Sequence, residues 1–152
     1  MKTIKLAPSI SIHRDKEITM NRQIFINLAT RNLSKAKNFF GELGFKFNPK
    51  FSNEDGCCVI IAENISVMLL SEGHFKNFTD KSICDSKVSA ESLLCVSCES
   101  RDEVDKLISK AKSLGANVSR DPQDYGFMYS HNFDDLDGHS WEFMFMDQSA
   151  NK

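Results

Sequence analysis

Ile24-Phe25-Ile26-Asn27-Leu28-Ala29-Thr30-Arg31-Asn32-Leu33 opens the first regular stretch of the 152-residue chain. Its alternation places Ile24, Ile26 and Leu28 on one face of a strand and Phe25, Asn27 and Ala29 on the other. Asn32 has the short polar side chain that caps a helix. Leu33, Ala36, Phe40 and Leu43 then recur at helical spacing as a buried stripe, and Gly44 ends the helix. Three strands are predicted next, near residues 45–51, 57–62 and 65–71, with turn signals at Asn53-Glu54-Asp55-Gly56 and Glu63-Asn64.

The same order returns further on. Residues 92–98 read as a strand, and Ser100-Arg101-Asp102-Glu103 fits a capping box. Val104, Leu107, Ile108, Ala111 and Leu114 form an apolar stripe that Gly115 closes. Strands near residues 117–120, 127–133 and 140–146 follow, with Leu136-Asp137-Gly138 as the last turn. The fold class is therefore α+β: two βαβββ modules whose curved mixed sheets are expected to enclose a central cleft. The domain spans residues 22–147, with modules at 22–71 and 91–147 and a short helical linker at 72–90. A tail follows at 148–152. Residues 1–21 read as a disordered or non-native extension, since periodicity begins only after Met20 and no apolar h-region marks a secretory signal.

Composition bounds the function. A formal net charge of −2 argues against a general nucleic-acid binder. No apolar run is long enough to span a membrane. The five cysteines form an odd set without a signal peptide, as expected of free thiols in a reducing cytoplasm. Cys95-Val96-Ser97-Cys98 has the C-x-x-C form but lies in a strand, where the two thiols point to opposite faces, so it reads as packed thiols and not as a redox pair.

Residues 24–28, Asn32-Leu33 and Phe39-Phe40-Gly41-Glu42-Leu43-Gly44-Phe45 resemble the opening of the vicinal-oxygen-chelate superfamily, which includes glyoxalase I, bleomycin-resistance proteins and extradiol dioxygenases. Asp121-Pro122-Gln123-Asp124-Tyr125-Gly126-Phe127-Met128-Tyr129 and Asp135-Leu136-Asp137-Gly138-His139-Ser140-Trp141-Glu142 are similar to a bacterial branch labelled predicted lactoylglutathione lyases. The resemblance covers about residues 22–147. It implies a small-molecule ligand in the cleft and a homodimer.

Metal-dependent members of that superfamily hold a divalent ion with four His or Glu ligands, two from each module, leaving positions open for substrate. Carried over residue by residue, these positions fall at Phe25, at Met68 or Leu70, at Leu93 or Leu94, and at Glu142. Only Glu142 suits such an ion. The resemblance therefore implies no cofactor of the usual kind, with a metal held by unexpected ligands as the alternative. His131 shares strand parity with Phe127, Tyr129 and Phe133, so it belongs to the core or the cleft; His139 sits in a turn and is expected to contact backbone.

Glu142 is the candidate catalytic residue. Trp141, Phe143 and Phe145 should face the helix, leaving Glu142, Met144 and Met146 towards the cleft. A carboxylate among Met and aromatic groups is desolvated, which raises its pKa and suits it to take a proton next to a carbonyl. The competing reading pairs it with Arg or Lys. Phe25, Asn27, Met68 and Met144 are the expected lining, with Asp121, Tyr125, Tyr129 and His131 as polar ligand contacts. Four functions stay open: a lyase or isomerase with Glu142 as base, a protein that sequesters a drug or metabolite, a metal-dependent lactoylglutathione lyase with unusual ligands, and a dimeric interaction module whose cleft has closed.

Overall fold

The computed structural model describes residues 21–151, so nearly all of the expected extension lies outside the described residues. Two four-stranded sheets form, each from one half of the chain. In the first, β1 (Ile24–Thr30), β2 (Lys46–Asn48), β3 (Gly56–Ala62) and β4 (Ile65–Ser71) lie in the order β1-β4-β3-β2. In the second, β5 (Leu93–Cys98), β6 (Gln123–Asp124), β7 (Met128–Asp134) and β8 (Ser140–Met146) lie in the order β5-β8-β7-β6. Each first strand pairs in parallel with the last strand of its module, and the other pairings are antiparallel. A parallel pair needs a crossover, supplied by α1 (Leu33–Glu42) and α3 (Arg101–Ser113).

The local signals act as expected. Asn32 accepts from the Lys35 N–H at 3.0 Å, and Ser100 accepts from the Glu103 N–H at 3.1 Å. Glu103 reaches back to accept from the Glu99 N–H, one residue ahead of the cap. Gly44 and Gly115 take φ of 102° and 100°, the left-handed conformation that ends a helix and that other residues resist.

Three expectations change. The strand near residues 45–51 shortens to β2, because Pro49 starts a 3-10 turn capped by the Asn48 side chain. The strand near residues 117–120 is replaced by one bridge between Asn117 and Asp134, and the module's second strand forms later, at β6. The linker is helical only in α2 (Glu72–Phe75) and the 3-10 turn Lys76–Phe78, and residues 79–92 run without helix or strand.

One core serves both modules. Trp141 and Phe143 of β8 stack with Phe133 of β7 at 6.5 and 5.4 Å between ring centroids. α1 brings Phe40 to Trp141 at 5.1 Å and Phe39 to Phe133 at 6.2 Å, so the first helix packs on the second sheet. Such aromatic pairs contribute about 0.5–1.5 kcal/mol each beyond their buried area. The helix-side faces of the two sheets thus merge into a single interior. The opposite faces stay open in the single chain: Phe25 is 42% exposed and Leu93 77%.

Candidate functional site

A cavity of about 400 Å³ lies between the modules. One wall is the β1 segment 26–29, a second is the linker, and a third is the turn 137–140. Ile26, Phe75 and Ile83 supply apolar surface, while Arg31, Lys81 and the linker serines supply polar groups. The Arg31 guanidinium is held by Asp85 at 3.1 Å and Glu72 at 3.6 Å, which fixes it across the linker.

A set of hydrogen bonds closes the cavity at the module boundary. Thr30 donates its hydroxyl to Asp137 Oδ2 at 2.6 Å, and the Arg31 N–H donates to Asp137 Oδ1 at 2.9 Å. His139 Nε2 lies 2.7 Å from the Ala29 carbonyl and Nδ1 lies 3.1 Å from the Ser86 hydroxyl. A carbonyl only accepts, so Nε2 carries the proton, and in the neutral ring Nδ1 accepts from Ser86. The sequence reading that His139 contacts backbone holds, and the backbone belongs to the other module. Gly138, at φ 92°, lets the linker come close: a Cβ there would stand 2.7 Å from the Lys87 nitrogen.

Behind this turn, Asp135 is buried and accepts from the Trp141 indole N–H at 3.0 Å and from the N–H groups of Asp137 and His139. Burial pushes its carboxyl above the usual carboxylate value, against the lowering effect of His139 and these donors. Asp135, Asp137 and His139 bring three ligand-type atoms within 4.8 Å of one another. Each of these groups is already hydrogen-bonded within the protein, and the trio acts as the joint between modules.

The residues expected to form the site are not brought together. Asn27 alone among them lines the cavity. The strand registers put Phe25, Asn27 and Met68 on the open face of the first sheet and Glu142 and Met144 on the open face of the second. Tyr129 and His131 lie on the helix side instead, paired in register with Phe145 and Phe143. Tyr129 donates to Asp105 of α3 at 2.6 Å, and this bond, then burial, pushes its phenol up to about 12. His131 Nε2 donates to the Arg120 carbonyl at 2.7 Å. Both side chains have structural work there.

The motif around Tyr125 is likewise a loop anchor. Arg101 clamps both carboxylate oxygens of Asp124 at 2.6 and 3.0 Å, donates to the Gly126 carbonyl at 3.0 Å and stacks 5.0 Å from the Tyr129 ring. The guanidinium holds the Asp124 carboxyl down at about 2. Tyr125 donates to Gln123 at 3.1 Å and is exposed, as is Asp121.

The duplication fixes which positions correspond. Counting back from the caps Asn32 and Ser100, Phe25 matches Leu93 and Asn27 matches Cys95. Asn27 pairs with Met68 and Cys95 with Glu142, so Met68 is the counterpart of Glu142. At the positions where metal-dependent relatives would be expected to hold an ion, Phe25, Met68 and Leu93 are not hard-cation ligands. The four-ligand arrangement does not fit these residues. The same register exposes a group that sequence reading set aside as packed: the Cys95 thiol donates to Glu142 Oε1 at 3.3 Å on the open face. Among the described residues Glu142 has no Lys or Arg partner.

This architecture of paired modules is that of a small-molecule-binding superfamily. The model of the Glyoxalase/Bleomycin resistance protein/Dioxygenase superfamily matches residues 22–143, and the chain belongs to that superfamily. A hypothetical protein from S. aureus is 28% identical over 83% of this chain and 94% of its own, with a TM-score of 0.71. A glyoxalase-related enzyme from Fulvimarina pelagi is 19% identical over 83% and 88%, with a TM-score of 0.69. The fosfomycin resistance protein FosX from Listeria monocytogenes is 19% identical over 80% and 87%, with a TM-score of 0.58. The last two share the fold alone. No curated protein matches the sequence. Among the described residues no helix is long and apolar enough to cross a membrane.

Proposed function

We propose that the protein binds a small organic molecule in the cavity between its modules. The observation that carries this reading is the cavity of about 400 Å³, at the low end of the range of ligand pockets and walled by apolar and polar groups together. Sequestration of a drug or metabolite is the simplest outcome of such a site, because Arg31 and His139 are held in its wall by ion pairs and hydrogen bonds. The test is a thermal-shift screen of metabolites and drugs against the purified chain. A binder should raise the melting temperature, and Asn27→Trp, which fills the β1 wall, should abolish the shift. A screen with no shift would remove the reading.

Glu142 carries a second, catalytic reading, as general base of a lyase or isomerase acting on a carbonyl compound. What favours it is a carboxylate on an open sheet face with no cationic partner among the described residues. Turnover of a carbonyl substrate that falls at least about a hundred-fold in Glu142→Gln, at unchanged melting temperature, would support this role. A second copy of the chain is the proposed cover for the open face of the first sheet, since Phe25 leaves apolar surface in water there. Light scattering should then give a dimer mass, and Phe25→Lys should shift it towards the monomer.

A further inference from the structure

We propose that Cys95 and Glu142 form a covalent capture site for small α,β-unsaturated carbonyl compounds, on the open face of the second sheet and separate from the cavity. The two side chains are neighbours in the β5–β8 register, and the thiol donates to the carboxylate at 3.3 Å. A nucleophile within hydrogen-bond reach of a base is the arrangement that activates a weak nucleophile.

The other cysteines lack it. Cys57 and Cys58 are buried, and Cys98 lies on the helix side of β5. Cys84 is exposed in the linker, with no carboxylate among its hydrogen bonds within the described residues. Cys95 is exposed, and on the same face Leu93 offers an apolar platform to a small ligand. Asn132, the register partner of Glu142 on β7, completes the row.

The soft sulfur and a single base define the ligand class. Sulfur attacks the β-carbon, a C–S bond forms, and the C=C π electrons move towards the carbonyl oxygen. The thiol proton passes to Glu142 and from there to the α-carbon. The product is a neutral thioether, Glu142 is again a carboxylate, and no oxidant or reductant is consumed. Partial burial, then the hydrogen bond and charge of Glu142, push the Cys95 thiol up to about 11. At neutral pH the thiol is therefore intact, and capture depends on Glu142 taking the proton during the attack.

Treatment of the full chain with methyl vinyl ketone, followed by peptide mass mapping, tests this. Cys95 should label ahead of Cys84, and Glu142→Gln should slow Cys95 by about ten-fold or more. The direction of the variant is decisive. Removing the carboxylate also removes two of the causes that raise the thiol pKa, so a Glu142 that merely suppresses thiolate would give faster labelling in the variant. Faster labelling, or Cys84 labelling first, would overturn the proposal. The native protein supplies a check that needs no variant. With base assistance the Cys95 rate flattens across neutral pH, whereas a plain thiolate reaction climbs about ten-fold per pH unit towards the thiol pKa and would overturn the proposal. Metabolite-induced thermal shifts that persist when Cys95 is replaced by Ser belong to the cavity, which keeps the two sites distinguishable.

Discussion

Thr30 and Asp137 lie 107 residues apart in the chain and are joined by a hydroxyl-to-carboxylate hydrogen bond of 2.6 Å. Thr30 is 2% exposed, so its hydroxyl has no water to turn to if Asp137 is lost. Asp137→Ala also orphans the Arg31 N–H, and should cost about 1–3 kcal/mol of stability in urea unfolding. Thr30→Val alone should cost less. The double variant should cost less than the sum, because both changes break the same bond. Additive effects would mean that this bond does not join the modules.

Gly138 shapes the same boundary by what it lacks. Its φ of 92° is strained for any L residue, and a Cβ would come within 2.7 Å of the Lys87 backbone nitrogen and 2.8 Å of the Ser86 carbonyl carbon. Neither backbone atom can move without the linker moving. Gly138→Ala should therefore lower stability by about 1 kcal/mol or more and displace the cavity wall. The expected signature is a melting temperature lowered by a few degrees together with loss of any ligand-induced shift. An alanine variant that binds normally would show that the linker does not form the wall in solution.

Asp124 gives a prediction about acid. Arg101 holds its folded carboxyl at about 2, below the ordinary 3.8. A depressed folded pKa contributes stability above the unfolded value, and that contribution fades as pH falls through the folded one. Stability should thus decline between 3.8 and about 2 as the anchor of the 123–127 loop releases. Asp124→Asn should flatten this part of the pH profile of the melting temperature and leave it unchanged near neutrality apart from a constant offset. An unaltered acid slope would exclude the Arg101–Asp124 pair as its source.

Much of this was legible in the chain itself. Caps at Asn32 and Ser100, and glycines at positions 44 and 115, are local chemistry, so the two-module plan follows from them directly. The alternation in Ser140–Met146 put Trp141 and Phe143 on the helix face and Glu142 on the opposite one for the same reason. Periodicity carries no register and does not say which side of a sheet meets which neighbour. Hence Tyr129 and His131, on the helix side, could not be told from cleft residues. The Cys95–Glu142 contact spans 47 residues and depends on a strand pairing that only the fold reveals. The inter-module joint at His139 and Asp137 was hidden because a turn motif looks the same whether or not another strand leans on it.

Asp135 should behave oppositely to Asp124. Its carboxylate accepts the Trp141 indole N–H at 3.0 Å and two backbone N–H groups, yet burial raises its pKa above 3.8. A raised folded pKa contributes stability that is complete below the unfolded value and is lost as pH climbs through the folded one. The unfolding free energy of the native chain, taken relative to that of Asp135→Asn, should therefore fall as pH rises from strongly acid conditions through the raised value, then level off. Asp135→Ala tests the bonds themselves. It leaves the indole and both amides without an acceptor, and at about 1–3 kcal/mol for each orphaned donor it should cost at least about 3 kcal/mol. If the Ala variant matched the Asn variant in stability, the three bonds would not hold the turn, and the cavity edge at Asp137 and His139 would need another support.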